Sequence, residues 1–329
     1  MTWIKKIFRR KEKVRLEKVR PELPASFNEN TMLRFIDDTI NEQRKTKCKK
    51  IYFNFSTLVS IEPVGVVVLS NLIDHFDKIN VDVIFEGFEI QSEANLFLDQ
   101  NGFFKHHLKE KYQPKRKYPQ KRIKSNQKHY CYKNPQLVSS DDAMGYLYFD
   151  LIPWVEREVN LPEDSLSTLR SAIEEIFHNI RDHSGEKVGY VFAQYAKNRN
   201  EIQIVISDFG VGIPKLVKTK VPSISFDSDA LCKACEEGFT TQSNVRNRGA
   251  GLPNLMKYIT LRNSGTVLII SGKARVFANK NKGKIFSPEI IATQTQHDIA
   301  YPGTLVKVGL RTDTLKQFTE DTKEEVFEW

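Results

Sequence analysis

The tightest limit on this fold comes from one junction, where an apolar run stops on an acid and two glycines. Residues 202–207 (IQIVIS) have the short, β-branched signature of a strand. They follow a turn at Asn198, Arg199 and Asn200 and lead into residues 208–214 (DFGVGIP). Asp208 therefore sits at a strand end, with Gly210 and Gly212 just beyond it. Glycines so placed let the backbone approach a flat ligand closely, and a carboxylate there can accept a hydrogen bond from an exocyclic amine. A plain tight turn would use the same residues, so the junction fixes a strand end and leaves its chemistry open.

A long helix precedes this strand. Pro162 pre-sets its first turn, Glu163 and Asp164 suit its positive end, and Gly185 stops it, so the spacing predicts a helix over 164–184. Leu166, Leu169, Ile173, Ile176, Phe177 and Ile180 fall on one arc, which makes the core face. Glu175, Asn179, Asp182 and His183 form a polar stripe on roughly the opposite side, which alone would be a solvated face. Downstream, residues 246–257 (RNRGAGLPNLMK) place Gly249 and Gly251 at a helix start beside Arg246 and Arg248. Such a start offers free N–H groups and a positive dipole to phosphates. Gly303 and Thr304 come just before a last strand over 305–310.

The N-terminal part alternates helix and strand: 32–44 helical, 50–55 extended, 64–76 helical, 81–85 extended and 93–100 helical. This is a small α/β unit. The chain's net charge of +9 is unevenly spread, with +7 in residues 1–20 and +10 in residues 105–134, leaving the rest acidic at about −8. In the first stretch Trp3, Ile4, Ile7 and Phe8 lie at helical spacing among lysines and arginines, as in a basic interfacial helix, and a solvated tail reads equally well. The second stretch reads as an exposed linker, whose lysines and arginines are candidates for nucleic acid or a membrane surface but are most simply solvated charge. Its apolar runs are too short to span a bilayer, residues 1–30 carry no secretory signal, and four scattered cysteines make no disulfide framework; a reducing, cytoplasmic setting is expected.

Two resemblances organise these pieces. Residues 51–69 (IYFNFSTLVSIEPVGVVVL), 83–90 and 96–104 resemble the STAS fold of anti-sigma-factor antagonists. Those proteins carry a phosphorylated serine in a turn matched here by Glu62, Pro63, Val64 and Gly65, so the acceptor hydroxyl is absent and the resemblance implies an interaction module. Ser56, Thr57 and Ser60 are the nearby hydroxyls. Glu175 with Asn179, Asp208 with Gly210 and Gly212, Gly249 with Gly251 and Leu252, and Gly303 with Thr304, in that order, resemble the Bergerat ATP-binding fold of the GHKL superfamily. That superfamily includes type II topoisomerase ATPase domains, histidine kinases and anti-sigma-factor serine kinases. The expected fold class is α/β, a small STAS-like domain followed by a Bergerat-fold sandwich with a helical layer on a mixed, largely antiparallel sheet. The expected boundaries are a basic tail at 1–24, the STAS-like domain at 25–108, a basic linker at 109–140, the GHKL domain at 141–315 and a C-terminal tail at 316–329.

The second resemblance implies ATP and Mg²⁺ as cofactors and assigns roles residue by residue. Asn179 would hold Mg²⁺, and Glu175 would be the general base. Asp208 would accept from the adenine amino group, joined by Thr304, with Gly210, Gly212 and Ile213 bordering the base. Gly249, Gly251, Leu252, Arg246 and Arg248 would meet the phosphates, and Asp182 and His183 share the stripe that faces the nucleotide. Residues 238–241 (GFTT), with Thr240 and Thr241, resemble part of an ATP lid, so 215–248 is expected to be mobile without nucleotide. The favoured reading is an Mg-ATP-dependent switch that hydrolyses ATP and is coupled to the STAS-like domain. A serine/threonine kinase of the anti-sigma-factor type and a non-catalytic ATP sensor or scaffold stay open. A regulatory protein partner and a homodimer follow by analogy. Three other motifs fail: Asp208-Phe209-Gly210 lacks the catalytic loop of eukaryotic kinases, Ser271-Gly272-Lys273 lacks the rest of a P-loop, and Cys232 and Cys235 lack a second ligand pair at zinc spacing.

Overall fold

The structure, a computed structural model, describes residues 19–46, 48–109, 130–139, 141–161, 166–183, 188–239, 251–280, 287–295 and 299–315. The chain begins as β1 (Ser26–Phe27), α1 (Met32–Thr46), β2 (Lys50–Asn54), β3 (Ser60–Ile61), α2 (Pro63–Lys78), β4 (Asp82–Glu86), α3 (Glu93–Gln100) and α4 (Phe103–Leu108). The helices and strands expected from periodicity in this N-terminal part are all present, with ends moved by at most two residues. Local chemistry sets several of those ends. Pro63 opens α2 after an extended Glu62, and the Ser92 hydroxyl caps α3 by accepting from Asn95 N–H. β2 pairs parallel with β4, and β1 pairs parallel with β3. The expected tail lies outside the described residues except at its end, where Val19 bridges to Ile51 and Arg20 pairs with Glu86 at 2.5 Å.

The remainder comprises β5 (Tyr130–Ser139), α5 (Ala143–Tyr146) and α6 (Ile152–Val159) joined by a π turn, α7 (Ser167–His183), β6 (Val188–Ala196) and β7 (Glu201–Asp208). There follow α8 (Ile213–Lys220), α9 (Asp227–Ala234), α10 (Gly251–Lys257), β8 (Thr266–Gly272), β9 (Ala274–Asn279), β10 (Glu289–Gln294) and β11 (Tyr301–Arg311). Seven strands form one sheet in the order β10-β9-β8-β11-β7-β6-β5, and each pairing is antiparallel. The sheet is thus antiparallel throughout among the described residues, in line with the largely antiparallel sheet expected.

Side chains alternate across each strand, and here both faces are buried. Ile202, Ile204 and Ile206 of β7, with Val306 and Val308 of β11, pack under α6, α7 and α10 against Trp154, Ile173, Ile176 and Leu255. Val205, Leu305, Tyr190, Phe192 and Ile270 point the other way, into the core of the N-terminal unit. There α2 lies across β6 and β7. This explains why α2 is buried nearly all round, from Val64 to Leu72.

Polar contacts tie the two parts together. Asn71 of α2 donates to the Ser207 carbonyl at 3.4 Å, and Arg275 donates to the Glu29 carbonyl at 2.7 Å. Lys307 of β11 reaches Glu29 at 3.4 Å and Glu62 at 3.6 Å. Burial and then the charge of Glu29 raise the Glu62 carboxyl above its ordinary range. Burial acts upward on Glu29 as well, but its backbone hydrogen bond and Lys307 outweigh it and hold that carboxyl low.

The linker expected over 105–134 is encroached upon from both ends. Residues Tyr130–Ser139, assigned to a linker at 109–140, form the edge strand β5, and α4 carries His106 and His107 against Tyr190. His107 lies 2.9 Å from the Ser70 hydroxyl, and burial, with His106 and Lys109 nearby, lowers its pKa to about 3. Composition hid this, because two histidines among lysines read as polar. Among the described residues no helix is long and apolar enough to cross a membrane.

His107 is neutral in the fold and takes up a proton in the unfolded chain below about pH 6.5. Between these values the unfolded state binds more protons, so stability is present above about pH 6.5 and is lost as pH falls towards 3. Thermal unfolding followed from pH 7 to pH 4 should show this loss, and His107→Gln should remove part of it, on the order of a few kcal/mol. Identical pH profiles for the two proteins would contradict this assignment.

Candidate functional site

Register builds the site. β7, β11 and β8 are neighbours, and at one level Asp208 faces Thr304, which faces Ser271 on its other side. All three occupy the positions that continue Ile206, Val306 and Ile269, so they share the face that carries the helical layer. Asp208 is only 2% exposed, and Ser271 is fully buried.

Two glycines with positive φ close the backbone around this row. Gly303 has φ of 98°, and a Cβ there would stand 2.4 Å from the Asp208 carbonyl oxygen and 2.6 Å from Gly210 N. Gly212 has φ of 80°, and a Cβ would meet the Gly303 carbonyl oxygen at 3.0 Å and Ser271 Oγ at 3.1 Å. No other residue would allow the 208–212 turn and the start of β11 to approach so closely. One carboxylate oxygen of Asp208 accepts from Gly210 N–H at 2.7 Å, which holds the turn.

The Ser271 hydroxyl joins β8 to β11 and to the start of α8. It donates to the Gly303 carbonyl at 2.7 Å and accepts from Ile213 N–H at 2.9 Å. With its single proton used, its 3.0 Å contact with Thr304 Oγ1 has Thr304 as donor. The first turn of α8 is therefore pinned to β8. On the opposite face Ser207 Oγ contacts the Thr304 carbonyl at 2.9 Å and the Tyr301 hydroxyl at 2.5 Å. Burial holds the Tyr301 phenol above its ordinary range, so it stays protonated.

The neighbouring residue, Phe209, turns to the other side. Its ring packs edge-on against Tyr301 at 5.6 Å and lies 6.2 Å from His75 of α2. Consecutive residues of the junction thus address the helical face and the N-terminal unit.

On the helical side, Glu175 of α7 lies directly against the start of α10. A Cβ on Gly251 would fall 1.9 Å from Glu175 Cγ and 2.2 Å from Oε1, so the Glu175 side chain occupies the space that a side chain at 251 would take. Leu252 enters the core beside it, and Ile213 packs against the same cluster. The structure thus brings Asp208, Gly210, Gly212, Ile213 and Thr304 together, and pairs Glu175 with Gly251 on the same side of the sheet. Asn179, Asp182 and His183 follow on α7, but their side chains lie outside the described residues. Thr240, Thr241, Arg246, Arg248 and Gly249 lie outside them entirely.

Of the stretch 215–248, expected to be mobile without nucleotide, residues 215–239 are described. α8 and α9 fold there, with Val217, Ala230 and Leu231 fully buried. Cys235 is buried too, and desolvation pushes its thiol up to about 12, which makes it inert. Between α8 and Gly272 lies an open cleft of about 460 Å³ lined by Val211, Lys215, Lys218 and Asp227. Lys218 and Asp227 pair at 2.5 Å. Ser271 is the site residue that sequence reasoning missed, since it was weighed only within a failed P-loop tripeptide. A signal existed: residues 267–271 (VLIIS) end an apolar strand on a hydroxyl, as residues 202–207 do before Asp208.

No family model and no curated protein matches the chain. Among solved structures, the ATPase and transducer domains of DNA topoisomerase II from Balamuthia mandrillaris are similar at 16% identity and a TM-score of 0.22, over 36% of this chain and 30% of that one. The ATPase region of Saccharomyces cerevisiae topoisomerase II is similar at 12% identity and a TM-score of 0.24, over 44% and 39%. The chain therefore spans well under half the length of these structures. At such scores the likeness adds nothing to what register and hydrogen bonding establish.

Gly303→Ala should cost ~2 kcal/mol or more, because it combines a disfavoured φ with a backbone clash. Ser271→Ala should cost ~1–3 kcal/mol by leaving the buried Gly303 carbonyl and Ile213 N–H without their partner. Urea unfolding of both variants measures this, and losses below about 0.5 kcal/mol, the range of neutral surface changes, would contradict the network.

Proposed function

We propose that this protein binds ATP on the helical face of its sheet and works as an Mg-ATP-dependent switch read by its N-terminal unit. The observation that carries this reading is the row of Asp208, Thr304 and Ser271 framed by Gly212 and Gly303. A buried carboxylate beside a hydroxyl, under a backbone shaped by glycines, suits a flat base with an exocyclic amine, so the residues present fit adenine.

In this reading Asp208 accepts from the adenine amino group, and Thr304 Oγ1, whose proton goes to Ser271, offers lone pairs beside it. Gly210, Gly212 and Ile213 border the base. Glu175 receives the proton of the attacking water, and its packing against Gly251 places it where α7 meets α10. Asn179, one turn further along α7, would hold Mg²⁺, which neutralises phosphate charge when bound.

Transmission to the N-terminal unit is supported by the neighbouring contacts. Asn71 holds the Ser207 carbonyl next to Asp208, and Phe209 lies between Tyr301 and His75. A change in the 208–212 turn on closing around a base is felt by α2 through these groups. The N-terminal unit then presents the result to a regulatory protein.

Calorimetric titration with ATP should show binding, weakened about tenfold or more in Asp208→Asn, as expected for losing a hydrogen bond to a charged group. Glu175→Ala should keep ATP affinity and lose phosphate release. Unchanged affinity in Asp208→Asn would overturn the adenine contact, and turnover surviving in Glu175→Ala would overturn the base.

A further inference from the structure

A serine hydroxyl can make one hydrogen bond as donor and two as acceptor, and Ser271 has a partner for each. It donates to the Gly303 carbonyl at 2.7 Å and accepts from Ile213 N–H at 2.9 Å, which leaves one lone pair for Thr304 Oγ1 at 3.0 Å. A carbonyl only accepts and an amide N–H only donates, so the direction of all three bonds is fixed and Thr304 gives its proton to Ser271. Ser271 is fully buried, so bulk water does not compete for these bonds. Among the described residues Ser271 is the partner of the Thr304 hydroxyl.

Thr304 therefore meets a ligand with lone pairs alone. So does the carboxylate of Asp208, its register partner on the next strand. Neighbouring strands lie about 4.8 Å apart. The two hydrogens of a planar amino group diverge at a trigonal angle, so acceptors at the usual distance of about 2.9 Å from its nitrogen stand about 5 Å from each other. An exocyclic amine seated between the two side chains gives one hydrogen to each. A carbonyl oxygen in that place would face lone pairs on both sides.

We infer that Ser271 is the positioning residue that makes this site read an amine, and refuse a carbonyl, on the purine ring. The inference rests on the ATP-binding reading above and adds what selects the base. Hypoxanthine and guanine carry a carbonyl with a ring N–H beside it, an acceptor next to a donor. Asp208 could take the N–H of such an edge, but Thr304 would serve the carbonyl only by turning its proton towards the ligand. Ser271 holds that proton from one strand further away, on β8, without touching the base. A site whose polar groups are committed in advance discriminates more strongly than one whose hydroxyl is free to rotate.

Calorimetric titration of the full chain with ATP and with inosine triphosphate, both with Mg²⁺, tests this, because the two share every phosphate contact and differ at the six-position of the ring. The wild-type protein should bind ATP about a hundredfold or more tightly than inosine triphosphate. Ser271→Ala releases the Thr304 proton and should shrink that ratio about tenfold or more, chiefly by improving the binding of inosine triphosphate. Thr304→Val, which spares the bonds from Ser271 to Gly303 and Ile213, should shrink the ratio as well, and Thr304→Ser should restore it; a role in packing alone would leave the ratio unmoved. ATP binding with no preference over inosine triphosphate would overturn the role of Ser271 and leave the ATP site standing, as would a preference that neither Ser271→Ala nor Thr304→Val alters. Failure of the wild-type protein to bind either nucleotide would overturn both this inference and the ATP site.

Discussion

Six of the seven strands of the large sheet, all but the edge strand β10, serve two cores at once, and the two-residue period of the strand decides which side chain goes to which. Ile202, Ile204 and Ile206 pack beneath the helical layer, while Val205 belongs with α2 and the phenylalanines of the N-terminal unit. The sheet therefore cannot slip by one residue against its neighbours without exchanging the contents of both cores. That constraint holds Asp208, Thr304 and Ser271 in one row, since each lies a whole number of periods beyond a buried isoleucine or valine on its own strand.

The same alternation makes the junction after β7 a point of contact between the two faces. Asp208 is committed to the helical side by its strand position, and Phe209 leaves the strand towards Tyr301 and His75. Ser207, one residue earlier, joins Asn71, Tyr301 and the Thr304 carbonyl on the N-terminal side. Three consecutive residues are thus fixed by groups from α2, β7 and β11. A displacement of this turn has to be shared by both halves of the protein.

Much of this was legible in the sequence where a pattern is local. The helix over 164–184 announced its core face, and α7 buries Leu169, Ile173, Ile176 and Phe177, with Leu166 just before it, as the spacing requires. Asp208 with its glycines read as a strand end because the chemistry lies within five residues. What periodicity could not show is contact between distant segments. α2 read as an ordinary helix of a separate domain, yet it closes the back of the sheet. Ser271 became visible only when β8 was set beside β11, and the room left for Glu175 depends on Gly251, far along the chain. His107 was misjudged for the same reason, as Tyr190, Phe103 and Ser70 make its position an interior one.

The central claim is that a nucleotide on the Asp208 face is felt by the N-terminal unit. Amide hydrogen exchange of the full chain, with and without a non-hydrolysable ATP analogue and Mg²⁺, tests it most directly. The account predicts slower exchange on adding the nucleotide in two places, the 208–213 turn with the start of β11, and α2 on the opposite face. Slowing at the turn with α2 unaltered, or no slowing at either, would contradict it.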